Sequence, residues 1–220
     1  VCVLGEVAHA ASSFLPPYII MLSSLTKLEA INTMLATIGE SPVSSLTGSL
    51  PADTTIALNL LTEVSRDTQA KGWHFNTEFD VEFTPDAADN KITVSGSILR
   101  LDLESHNAGD IDIVMRGTSL YDRKEHTYEF TDKIKATVVY GLAFEDLPHV
   151  AKQYVTIRAA RILSDRMVGS VTHHQFTSMD ERYAWNSLIE YEGWTANHSI
   201  FDNMDTYNVI RRGSPIDRVS

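Results

Sequence analysis

Cysteine is almost missing from this chain. Cys2 is the only one in 220 residues, which excludes an intramolecular disulfide framework and a cysteine-based zinc site. Basic residues are scarce too: 18 Lys and Arg face 29 Asp and Glu, for a formal net charge of −11. A general nucleic-acid binder needs bases to displace phosphate counterions, so this balance argues against one. It is compatible with the wall of a DNA conduit, where repulsion of phosphate lets a duplex slide, although acidity also serves solubility alone. The mostly apolar stretch from Val1 to Ile20 lacks a basic start, carries Glu6 and His9 and is broken by Pro16-Pro17. It therefore reads as neither a signal peptide nor a membrane span. No G-x-S-x-G element, HExxH pair, phosphate-binding loop, internal repeat or low-complexity tract is present. What remains is ordinary for a globular protein, with 43% hydrophobic and 21% charged residues and enough length for one domain carrying an insertion.

The segment from Leu25 to Trp73 is the most informative. Thr26 and Glu29 have the spacing of a capping box, and Leu28, Ile31, Leu35 and Ile38 recur at helical intervals. Gly39 supplies a left-handed helix end, and Pro42 blocks continuation. Pro51 and Asp53 open a second helix, with Ala57, Leu60, Leu61 and Val64 on one face and Gly72 at its end. Two helices so closely linked pack as an antiparallel pair.

After Phe75 the period shortens. Strands are expected at Phe79 to Phe83, Ile98 to Leu103, Ile111 to Met115, Ser119 to Asp122, Thr127 to Phe130 and Ile134 to Tyr140, forming an antiparallel sheet or small barrel. Helix returns at Phe144, with Glu145-Asp146 as caps and Pro148 in the first turn, and a stripe of Ala151, Tyr154, Val155, Ile162 and Met167. Gly169 ends it. A fourth helix starts at Ser170 or Thr172 and runs through Phe176, Met179, Tyr183, Leu188 and Tyr191 to about Gly193. The fold class is thus α+β: an antiparallel bundle of about four helices, a β-rich insertion between the second and third, and an extended C-terminal tail. The expected boundaries are 1–20 for an N-terminal extension, 21–77 with 142–198 for the helical bundle, 78–141 for the insertion and 199–220 for the tail. Val1 to Ile20 reads as a non-native or unusual extension, an upstream region translated in frame before a start at Met21. An ordered arm gripping a neighbouring subunit is the competing reading.

Four elements in this order carry a resemblance: Ile38-Gly39-Glu40-Ser41-Pro42-Val43 to Leu46, Gly72-Trp73-His74-Phe75-Asn76, Leu120-Tyr121-Asp122-Arg123, and Asp146-Leu147-Pro148 leading to Met167-Val168-Gly169-Ser170. Together they resemble the tail tubular protein A (head-to-tail adaptor) family of short-tailed bacteriophages, over roughly Leu25 to Tyr191. The resemblance implies a structural virion protein in the tail, assembled in the host cytoplasm. It implies a dodecameric homo-oligomeric ring that docks on the portal protein, receives the tail nozzle (tail tubular protein B) and encloses the DNA exit channel. Double-stranded DNA would pass without sequence-specific binding, with no membrane, cofactor, metal or catalytic residue involved. Gly39, Pro42, Gly72, Trp73, Phe75, Tyr121, Asp122, Arg123 and Pro148 are the matching structural positions. Arg211, Arg212 and Arg218 in the tail are candidates for partner docking.

An enzyme is the competing class. A tail-associated glycan hydrolase, acting on peptidoglycan or capsule polysaccharide, would need two carboxylates at a fixed separation. Glu63 with Asp67, Asp180 with Glu181, and Glu190 with Glu192 are the nearest candidates in sequence, and solvated helix faces explain them more simply. His173-His174 point about 100° apart on a helix, so they do not readily share a metal ion. Trp73 and Trp194 could stack on bases, but Trp73 after Gly72 is better placed to plug the junction of the helical and β regions.

Overall fold

The computed structural model describes residues 24–103 and 111–195. The N-terminal extension, the expected start at Met21 and the tail with Arg211, Arg212 and Arg218 lie outside the described residues.

Four helices form the larger core: α1 (Lys27–Thr37), α2 (Ala52–Gln69), α3 (His149–Met167) and α4 (Val171–Thr195). The capping box of α1 is formed, since Glu29 N–H donates to Thr26 Oγ1 at 3.2 Å and Thr26 N–H to Glu29 Oε2 at 2.8 Å. At the other end Gly39 takes φ +80°, and the Glu40 amide reaches back to the Leu35 carbonyl at 3.0 Å. Asn32 then pins the returning loop with two bonds to the Val43 backbone, at 2.8 and 3.0 Å. Among the helices, α3 is central, in contact with α1, α2 and α4. Ile31, Met34, Leu35, Leu61, Val155, Leu163 and Leu188 are buried in one cluster there.

Five strands follow α2: β1 (Thr77–Phe83), β2 (Ile98–Leu103), β3 (Ile113–Arg116), β4 (Ser119–Asp122) and β5 (Ile134–Tyr140). They make two antiparallel sheets, one ordered β1-β5-β2 and one a β3-β4 hairpin, so the arrangement is a pair of sheets rather than a closed barrel. A second apolar cluster, including Ile92, Leu101, Leu120, Phe130 and Val138, lies between them.

Several expectations are corrected. Thr127 to Phe130 is not a strand: it makes only isolated bridges to Asp122 and Lys91, because the Asp122 carboxylate draws the preceding amides into a turn. Phe79, expected on the half-buried face of β1, is 70% exposed. The cause is a bulge at Phe79-Asp80, where the register slips against β5 and Asp80 adopts φ +56°. Phe144 to Asp146 is a separate 3-10 turn, and Pro148 is the N-cap of α3, with no side-chain capping bond from Glu145 or Asp146. Met167, expected in the buried stripe, ends α3 and is 49% exposed. The fourth helix starts between the two expected positions, with Ser170 Oγ accepting from the His173 amide at 3.3 Å.

Candidate assembly elements at the helix-sheet junction

The Gly72 to Asn76 segment joins the two cores. Gly72 has φ +79°, which strains any other residue, and a Cβ there would also crowd Val139 Cγ2 at 3.2 Å and push aside the Arg100 guanidinium at 2.8 Å. The chain then turns Trp73 inward. Trp73 is buried, its Nε1–H donates to the Thr68 carbonyl at 2.7 Å, and its ring meets Trp185 edge-on at 5.6 Å and stacks with Phe75 at 6.3 Å. Lys71 lies 4.1 Å over the other side of this cluster, on the Trp185 ring.

Two buried amides hold the junction. Asn76 accepts from the Trp73 amide at 2.8 Å and donates to the carbonyls of Gln69 at 3.0 Å and Tyr140 at 2.7 Å. Gln69 accepts from the Leu142 amide at 2.7 Å and donates to Ser65 Oγ and the Leu142 carbonyl. The end of α2 and the end of β5 are thereby sewn together through side chains that have no water to fall back on. Sequence reading singled out Gly72, Trp73 and Phe75 here and missed Gln69 and Asn76. Their signal was two amide side chains flanking a glycine exit, a pattern too common to stand out.

The other motif positions are distributed around the fold. Gly39 and exposed Pro42 shape the α1–α2 loop. Tyr121 packs edge-on against Tyr128 at 4.8 Å and under Arg116 at 3.6 Å. Asp122 is buried and accepts from the Lys124 amide at 2.7 Å, while Arg123 pairs with Asp112 at 3.4 Å. Pro148 starts α3 on the opposite side of the insertion in sequence. These residues do not converge on one pocket; each organises a local reversal of the chain.

A charged network fastens α4 to α3. Glu181 takes Arg158 at 2.8 Å and also binds Arg161, which reaches Asp165 at 2.9 Å, and Asp165 takes His174 at 2.9 Å. At the far end of α4, Glu192 holds both the amide and the ring of His74. Of the carboxylates weighed as hydrolase pairs, Glu181 and Glu192 are thus occupied by cations or amides, and Glu63, Asp67, Asp180 and Glu190 stand on exposed helix surface. His174 faces Asp165, whereas His173 does not share that partner. Burial raises the Asp165 carboxyl, but the His174 hydrogen bond and Arg161 outweigh it and hold the group below its ordinary range.

A depressed folded pKa contributes stability that is present above the unfolded value, about 3.9, and is lost as pH falls through the folded value. Asp165→Asn should therefore lower the Tm at pH 7, and the gap from wild type should shrink once the pH drops below about 4. Thermal melts across pH 7 to 3 would measure this, and a gap of constant size would refute the clamp.

The motif residues hold the described part of the chain together at its turns. Comparison with known proteins decides the class: residues 28–198 match the tail tubular protein family. The chain belongs to that family. It is 30% identical over 169 residues to tail tubular protein A of Klebsiella phage KP34, covering 76% of this chain and 87% of that protein. This makes it a bacteriophage structural tail protein, and the match runs from the first turn of α1 past the end of α4. Among the described residues, no helix is long and apolar enough to cross a membrane.

Proposed function

We propose that this tail tubular protein is a head-to-tail adaptor. Copies close into a dodecameric ring that sits on the portal protein, receives the nozzle protein and encloses the DNA exit channel, in the virion tail after assembly in the host cytoplasm. The observation that carries this reading is the continuous match across residues 28–198 to a family of tail tubular proteins, including a relative of that name covering most of its own length.

The physical features agree with a role that is geometric. Rigid helices around α3 hold a fixed wall, and the β-rich part, tied on by Gln69 and Asn76, is free to present its own contacts. The division into a helical body, residues 21–77 with 142–198, and an insertion, residues 78–141, belongs to this proposal. With a net charge of −11 per copy, an acidic surface turned toward the bore would repel phosphate, so that double-stranded DNA passes without sequence-specific binding. Arg211, Arg212 and Arg218 are the bases this reading assigns to partner docking.

Mass photometry of the full chain, alone and mixed with its portal and nozzle proteins, tests the proposal. A dodecamer alone, or a monomer that joins the portal in that number, is the expected result, since a portal template can supply the missing association energy. A chain that stays monomeric with both partners present overturns it.

A further inference from the structure

Helix α4 is 25 residues long, about 37 Å at 1.5 Å per residue, yet only Ala184 and Leu188 along it are fully buried. Its apolar residues do not gather on one face. At about 100° per residue, Phe176, Met179, Tyr183 and Trp194 fall in a sector about 60° wide, roughly opposite the side that carries Leu188 and Trp185 onto α3. All four are exposed, at 67%, 51%, 65% and 86%. A surface helix normally turns one apolar stripe inward and a charged face outward. This one has apolar residues on both sides, the pattern of a helix between two layers of which one chain supplies a single layer.

We propose that the outward stripe of α4, Phe176, Met179 and Tyr183 with Trp194 near its end, is the face on which a second copy of this chain packs. The inference rests on the ring reading above and assigns its interface. Charge selects the occupant. Each copy carries −11, so two copies meet favourably only where the centre of contact is neutral. The N-terminal part of the stripe meets that condition: Phe176, Met179, Tyr183 and Ser187 form a run without charge, with Asp180 beside it, while Glu190 lies in line with the stripe between Ser187 and Trp194. A basic partner would be better served by carboxylates in the centre. The surface continues sideways into a groove of about 370 Å³ beside Tyr183, lined by Thr33, Thr37, Gln153, Ile157 and Ala160, with Asp180 also in its lining. Its Arg161 is already engaged by Glu181 and Asp165.

Area supports the same occupant. Three aromatic rings exposed to this degree present on the order of 400 Å², about half of what one side of a standard protein interface buries. The network of Arg158, Arg161, Glu181, Asp165 and His174 lies on the α3 side of the helix and holds the stripe in place.

The test uses the full chain with Phe176→Glu and, separately, Tyr183→Glu, both at exposed positions where folding is expected to survive; circular dichroism and Tm check this. Each substitution should reduce assembled ring by tenfold or more at a fixed concentration, alone or on the portal, by mass photometry. In parallel, a photo-crosslinking phenylalanine analogue at position 176 should join to peptides of a second copy of the same chain, a readout that does not depend on a destabilising change. Rings that form normally from both Glu variants, or crosslinks that run to the portal or nozzle protein instead, overturn this inference while leaving the ring intact. A wild-type chain that forms no ring under any of these conditions overturns the ring reading and this interface with it.

Discussion

Trp73→Ala should destabilise the protein by about 3–5 kcal/mol, the largest loss expected from any single substitution in the helical region. The indole fills the space where α2 ends, between Phe75 and Trp185, and its Nε1–H satisfies the Thr68 carbonyl inside the core. Alanine would leave a cavity and reduce the Thr68 carbonyl to its long 3.4 Å bond from the Lys71 amide, and both costs add to the lost transfer energy of the ring. Urea denaturation monitored by circular dichroism would measure it. Because Trp185 also supports Tyr154, at 5.1 Å, the loss should loosen the seat of α4 on α3. Trp73→Phe, which keeps most of the volume and gives up the hydrogen bond, should recover more than half of the stability. A loss below about 1 kcal/mol in Trp73→Ala would place the ring outside the working core.

Asn76→Ala should have a comparable cost and a different signature. The buried Trp73 amide and the half-buried Tyr140 carbonyl lose the Asn76 side chain at once, and the Gln69 carbonyl keeps only the Gly72 amide at 3.0 Å. A buried group left unmade costs about 1–3 kcal/mol, though bonds that share one side chain will not sum in full. The two apolar clusters are otherwise separate, one among the helices and one between the sheets. Removing the amide should therefore split a single cooperative transition into two, with the tryptophan signal reporting the helices. Gln69→Ala should act in the same direction, and the double variant should show strong coupling, since both side chains tie α2 to the exit of β5. One sharp transition with an unchanged midpoint in Asn76→Ala would show that the joint is held elsewhere.

The helical elements were readable in the sequence because their signals are local. Thr26 and Glu29 announced the start of α1, Gly39 its end, and the spacing of Leu60, Leu61 and Val64 the inner face of α2. The insertion was legible as strands but not as sheets, because pairing β1 with β5 depends on residues more than fifty positions apart. Two β errors have one physical origin: a polar side chain or a strained residue competed with the ladder. Asp122 captured the amides of Lys124 and Glu125, which ended the expected Thr127 to Phe130 strand, and Asp80 broke the alternation that would have buried Phe79. The junction was half visible. Gly72 and Trp73 stood out by type, whereas Gln69 and Asn76 matter only because the fold removes water from them. The outward stripe of α4 was hidden for the opposite reason, as helical spacing places Phe176 and Tyr183 on a helix without saying which side faces out.

The bulge in β1 also bears on how a population of such molecules behaves. β1 is an edge of its sheet, and a straight edge strand is a template for indiscriminate pairing between chains. At Phe79-Asp80 the hydrogen-bonding row is interrupted and the strand bends, so a foreign strand that begins to zip along it meets a break after a few residues. Copies gathered at high local concentration are thereby kept from fusing sheet to sheet into fibres, and side-chain surfaces are left to decide how they associate.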